Sequence, residues 1–385
     1  MRTYLVVSVV VAMAPALAAG GCGEKGSRKS ARGDPGMTAN PGMTAKGAMA
    51  APGERRAPPR RASAKPVSLT FPPVVTDTDL EARGAEMSKA LVDNYKPGPP
   101  SYRRNFQAAC HILNQAFAAK GVALKRVKCE VINHPAFNAN TLPGGHIVAT
   151  TTLVAGYTNL AAAQVLYQKT MKDYLSYNDA LAKAIAGKTP PAKLPLPACP
   201  GGGDECFADV LKNPLFLARV AGLLTAIAAH EFGHVRAGHV LNEFLRKNVE
   251  QFNTRAFSSM TGNQVDTLFA KLQSVAMNHV DEYQADEMAA KYLAICYAYT
   301  NARYDDQLKD KLAGPHPMDA FYTLWFLMSL DKAHQAAGRD TPAYQKNHPP
   351  ARLRAQRVLQ VIVRNKLPSH ELAKAAYGVL FGKER

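Results

Sequence analysis

Past about residue 75 the apolar side chains recur mostly at helical spacing, and only one short region reads as sheet. Asp77 to Asn94 and Asn105 to Ala119 are expected to be helices. Arg126 to Ile132 and His146 to Thr151 are expected to be strands flanking a loop at Pro143-Gly144-Gly145. Beyond Ala155 the pattern is mainly helical. Leu160 to Ala186 reads as one helix with Tyr167, Met171, Tyr174, Leu181 and Ile185 near one face and Gly187 at its end. Thr189 to Pro197 is too rich in proline for helix or central strand and is expected to be an extended loop, followed by the turn Pro200-Gly201-Gly202-Gly203. Leu215 to Ala229 carries no charge except Arg219 and is apolar nearly all round, the pattern of a buried central helix. Asn213 and Pro214 supply its cap and first turn. The fold class is α+β, mainly helical with one small sheet.

The central helix ends in His230-Glu231-Phe232-Gly233-His234. Residues four apart stack on one helical face, so both imidazoles can reach one metal while Glu231, one step round, serves as a base. Two core histidines bonded to backbone carbonyls would leave the same trace, so further ligands must decide. Gly233 costs about 1 kcal/mol in mid-helix, which implies that another element approaches closely there. A catalytic zinc takes three protein ligands and keeps one open position. His239 follows His234 by five residues and Gly238 by four, which does not fit the metzincin spacing. Glu282 fits better as the third ligand. It lies in the acidic run Asp281 to Glu287 of an otherwise basic chain, with Asp286 one turn on, placed to accept a hydrogen bond from a liganding imidazole. Taken alone, those acids would equally suit a solvated helix face.

Together these motifs resemble the zinc metallopeptidases that include HtpX, the type I CaaX prenyl protease and periplasmic lipoprotein proteases. The resemblance rests on Asn138-Ala139-Asn140-Thr141-Leu142-Pro143-Gly144-Gly145-His146-Ile147-Val148, the histidine pair, Glu282 with Asp286, and His348-Pro349-Pro350 with Arg354 six residues beyond the histidine. It implies a zincin-like domain that binds Zn2+ through His230, His234 and Glu282, with Glu231 as general base and Asp286 behind a ligand. It further implies catalytic roles for His348 and Arg354, and substrate binding along Asn138, Ala139, Pro143, Gly144, Gly145 and Ile147. His316-Pro317 competes with His348-Pro349, but Tyr322 stands where an arginine belongs. The chain departs from the family at Asn140, usually aromatic, at Thr152-Leu153-Val154, usually Gly-Leu-Leu, and in an insertion at 155–213 before the metal helix. That insertion is expected to be a lid, a substrate filter or a surface ornament.

The N-terminus bears on location. Met1-Arg2, the apolar stretch Leu5 to Leu17 and the small residues after it read as an export signal, residues 1–21, too short to span a bilayer. Ala19-Gly20-Gly21-Cys22 resembles a bacterial lipobox, so Cys22 is expected to carry lipid; Ala16-Leu17-Ala18 offers ordinary cleavage as the alternative. Residues 22–66 read as a disordered tether before a domain at 67–385. Residues 1–66 hold eleven Lys and Arg against three Asp and Glu, net +8 of the chain's +17, which suits an anionic lipid surface. No nucleic-acid recognition motif accompanies the charge. Export permits disulfides, for which Cys110 with Cys129 and Cys199 with Cys206 are the expected pairs, leaving Cys296 a buried thiol.

The expected protein is thus a zinc endopeptidase acting on protein or peptide substrates. It is expected to be a lipid-anchored envelope lipoprotein of the outer membrane facing the periplasm, or else soluble in the periplasm or secreted. An envelope chaperone using the same cleft without proteolysis is the main rival, and a zinc-dependent cell-wall hydrolase a weaker one.

Overall fold

The structure, a computed structural model, describes residues 78–121, 126–168, 170–199, 205–241, 260, 262–274, 279–301, 314–338 and 348–382. The stretches expected to be export signal and tether, with Cys22, lie outside the described residues.

Helix α1, Thr78–Tyr95, and helix α2, Pro100–Ala119, lead into a three-stranded sheet of β1, Lys128–Ile132, β2, Ala139–Leu142, and β3, His146–Thr150. Strand β3 is central, parallel to β1 and antiparallel to β2. The segment before the Pro-Gly-Gly turn is therefore a strand rather than loop. Its period-2 signal is short and mixed, Ala-Asn-Thr-Leu, which is why pattern alone did not reveal it. Pro143–Gly145 closes the hairpin in one 3-10 turn, and both glycines sit at φ +77°, a region closed to most side chains. Ile147 and Ala149 face the main core while Val148 faces a smaller one that α1 covers with Met87 and Leu91.

Thr150 then caps α3, Thr151–Leu166, by accepting from Leu153 N at 3.4 Å. Helix α4, Met171–Ala186, follows. The stretch expected as one helix from Leu160 to Ala186 is thus two helices. The chain turns at Tyr167 to Thr170, where Thr170 N bonds Tyr167 O at 3.0 Å. The apolar stripe continued through the break because both helices bury their faces in the same core. The proline-rich segment is pinned rather than loose: Tyr167 Oη and Tyr177 Oη donate to Ala198 O at 2.7 Å and Pro195 O at 2.8 Å, and Asn159 Nδ2 donates to Pro195 O at 3.2 Å. The two helices of the insertion belong to the domain rather than to a surface ornament, because Leu160, Tyr174, Tyr177 and Leu181 are buried in the main core; Pro200 to Gly203 lie outside the described residues.

After α5, Glu205–Lys212, comes α6, Pro214–Arg236, which carries the histidine pair. Asn213 Oδ1 accepts from Leu215 N at 2.9 Å and so caps it. It is long and apolar enough to cross a bilayer, but here α2, α3, α8 and α9 pack against it. A 3-10 turn at His239–Leu241, then α7, Gly262–Ser274, α8, His279–Asn301, α9, Pro317–Ala336, α10, Ala351–Arg364, and α11, His370–Leu380, complete the described elements. Cys110 and Cys129 are bonded, tying α2 to β1, Cys199 is also in a disulfide, and Cys296 is a buried thiol. The side chain of Cys206 lies outside the described residues.

Candidate metal centre

Helices α6 and α8 approach closely at Gly233. A Cβ on that residue would lie 2.9 Å from Ala285 Cα and 3.0 Å from Ala285 O, so only glycine admits the contact. This proximity brings Glu282 to the imidazole pair. His230 Nε2 lies 3.2 Å from His234 Nε2 and 3.6 Å from Glu282 Oε2, and His234 Nε2 lies 3.4 Å from Glu282 Oε1. Ligand bonds of about 2.0–2.1 Å would set tetrahedral edges of about 3.3 Å, so the three donors suit one zinc-sized ion. Among the described residues these three form the group able to hold a metal. The donor chemistry agrees: two imidazoles and one fully buried carboxylate are the side-chain types that hold zinc.

Electrostatics keep the carboxylate ionised. Burial pushes Glu282 up, but Arg354, His348 and His234 together hold it well below the usual carboxylate range. His234 is pulled down by burial, yet Glu282 wins and its pKa is raised. Behind the ligands, His230 Nδ1 lies 2.9 Å from Asp286 Oδ1, which leaves Nε2 for the metal. Arg354 Nε and Nη2 bind Asp286 Oδ2 and Oδ1, each at 2.8 Å, and Nη1 lies 3.1 Å from Glu282 Oε2. This fork balances two buried negative charges, and it offsets burial to hold Asp286 at about 2.

Glu231 points to the edge strand. The Thr141 hydroxyl bonds Glu231 Oε2 and lies 3.0 Å from Glu231 O. A cavity of about 280 Å³ joins this carboxylate and the triad to Asn138, Ala139 and Thr141 at the sheet edge. It continues between α3, α6 and α9 along Phe137, Leu153, Tyr157, Ile227, Leu324 and Leu327. His348 also lines it, with Nδ1 2.8 Å from Glu282 Oε1.

Not all the residues expected at the site meet there. Pro143, Gly144, Gly145 and Ile147 do not line the cavity. The turn packs instead under α1, where a Cβ on Gly84 would collide with Pro143 O, and Ile147 is core. These four shape the hairpin that presents Asn138 and Ala139. His316 is removed as well: its Nδ1 accepts from Met318 N at 3.0 Å, capping α9, and its Nε2 faces Arg219 at 3.4 Å. Thr141 was missed because a threonine in a strand looks like any β-branched filler. Asp331, which also lines the cavity and is pushed by burial up to about 6, was missed as one more acid on a helix.

Residues 215–362, which include every metal-ligand candidate and both His348 and Arg354, match the model of Peptidase family M48. No curated protein and no solved structure matches the chain.

Proposed function

We propose that the protein is a zinc-dependent endopeptidase that cuts unfolded or misassembled cell-envelope proteins. The observation that carries this reading is the Glu231 carboxylate, bonded to Thr141 in the same cavity as three donors spaced for one ion, beside the edge strand β2. Zinc on His230, His234 and Glu282, when bound, polarises the scissile carbonyl and acidifies water. Glu231 takes the proton of the attacking water and passes it to the leaving nitrogen. His348, at the cavity wall, donates to the developing oxyanion, and Arg354 balances the charge of Glu282 and Asp286. Among the described residues strand β2 is paired on one side only, with β3, and an extended peptide adding along Asn138 and Ala139 would present main chain with little regard to sequence. The apolar walls of the cavity favour side chains that folded proteins bury, hence unfolded substrates. The Cys110–Cys129 disulfide supports an oxidising compartment, in keeping with export and a lipid anchor at Cys22.

Incubating the zinc-loaded chain with casein tests the reading: chelator-sensitive fragments are expected from the parent, and none from Glu231→Gln, which keeps the metal. A parent that suppresses aggregation of unfolded protein and yields no fragments would favour the chaperone instead.

A further inference from the structure

His239 begins the 3-10 turn just beyond the metal helix, is buried, and was set aside above as a ligand on spacing. Its Nδ1 lies 3.0 Å from Nδ1 of His234. Two imidazole nitrogens at that distance require one proton between them, and the rest of the site decides which ring holds it. His234 presents Nε2 to the ligand triad, 3.2 Å from His230 Nε2 and 3.4 Å from Glu282 Oε1, so a metal bound there leaves the proton on Nδ1. That N–H then donates to His239 Nδ1. His239 must accept there and carry its own proton on Nε2. Around that Nε2 stand two oxygens, Gln284 Oε1 at 3.1 Å and Asp281 Oδ1 at 3.4 Å. Each donor meets an acceptor, and the chain of bonds runs in one direction only, from the metal ligand outward.

We propose that His239 is a positioning residue for the metal: it fixes the ring plane and tautomer of His234 and passes that constraint to Gln284 and Asp281. The inference rests on the metal site proposed above. It makes α8 the common support of the centre, since that helix supplies the ligand Glu282, the acceptor Asp286 that orients His230, and the acceptors that orient His239. The two imidazoles are held differently. His230 leans on a carboxylate already shared with Arg354, whereas His234 leans on a neutral imidazole, so a single substitution at 239 should loosen one ligand and leave the other in place.

The test is metal binding by the full chain, which is read without any peptidase activity. Cobalt(II) is bound in place of zinc, its visible absorption recorded, and its affinity measured against a competing chelator. His239→Phe keeps the ring volume and removes both nitrogens; it is expected to weaken binding about 10- to 100-fold and to change the cobalt bands. His239→Asn, whose amide oxygen can accept from His234 Nδ1, is expected to recover most of both. Gln284→Leu, on the half-buried rim, is expected to give a smaller loss in the same direction and serves if His239→Phe fails to fold. Parent-like affinity and spectrum in His239→Phe, or in Gln284→Leu where that variant stands in, would overturn the inference, as would a lower melting temperature of the metal-free chain with no change in the bands. A parent that binds cobalt but cuts no protein would sink the peptidase reading and leave this one intact; a parent that binds no metal would sink both.

Discussion

Gly233 on α6 and Ala285 on α8 sit so close that a Cβ on the glycine would lie 2.9 Å from Ala285 Cα. The helix spacing set there is also the spacing between the histidine pair and Glu282, three residues before Ala285. Gly233→Ala is therefore expected to cost stability despite better helix propensity, by about 1–3 kcal/mol from overpacking, and to weaken metal binding. Denaturant melts of the metal-free chain, with metal titrations, check this; a stabilised variant with parent affinity contradicts it.

Arg354 holds two buried carboxylates. Removing it as Arg354→Ala leaves Asp286 and Glu282 unbalanced and should destabilise the metal-free chain by about 3–5 kcal/mol. Arg354→Lys loses the fork and is expected to recover only part of that. Chemical denaturation of all three proteins measures the difference, and a parent-like Arg354→Ala refutes the charge-balance account.

Thr141 bonds Glu231, the carboxylate proposed as the general base. Loss of a hydrogen bond to a charged group costs about 1.5–3 kcal/mol, so Thr141→Val is expected to lower kcat about 10- to 100-fold with KM little changed. Thr141→Ser should restore most of it. Steady-state kinetics on one peptide decide, and a change confined to KM would place Thr141 in substrate binding instead.

Asp331 gives a pH dependence of known sign. Burial pushes its carboxyl from the usual 3.8 up to about 6, against the opposing pull of Ala351 N–H, Arg354 and His348. Its contribution is complete below the unfolded value and is lost as pH rises through about 6. Asp331→Asn, which keeps the acceptor for Ala351, should melt like the parent at pH 4 and higher than the parent at pH 8. An equal gap at both pH values contradicts the assignment.

Much of the site was legible because its chemistry is local in sequence. The histidine pair needs only helical spacing, Gly233 announced a close neighbour, and the acidic run pointed to Glu282 and Asp286, the two carboxylates that meet the histidines. The mainly helical α+β fold followed from periodicity. What escaped depends on contacts between distant segments: Thr141 meets Glu231 across ninety residues, and the bond of His239 to His234 counts only because α8 supplies Gln284 behind it. The break between α3 and α4 was hidden because a stripe of buried side chains carries no mark of a change in chain direction. The packing of the Pro-Gly-Gly turn under α1 was equally hidden, since its glycines look alike in sequence whether φ or a close neighbour requires them.

The central claim is that His230, His234 and Glu282 share one ion. Elemental analysis of the purified chain, prepared without chelator and compared with Glu282→Ala, tests it most directly. One zinc per parent chain, largely lost in the variant, is the expected result; a parent with no stoichiometric metal, or a variant that retains it in full, would contradict the account.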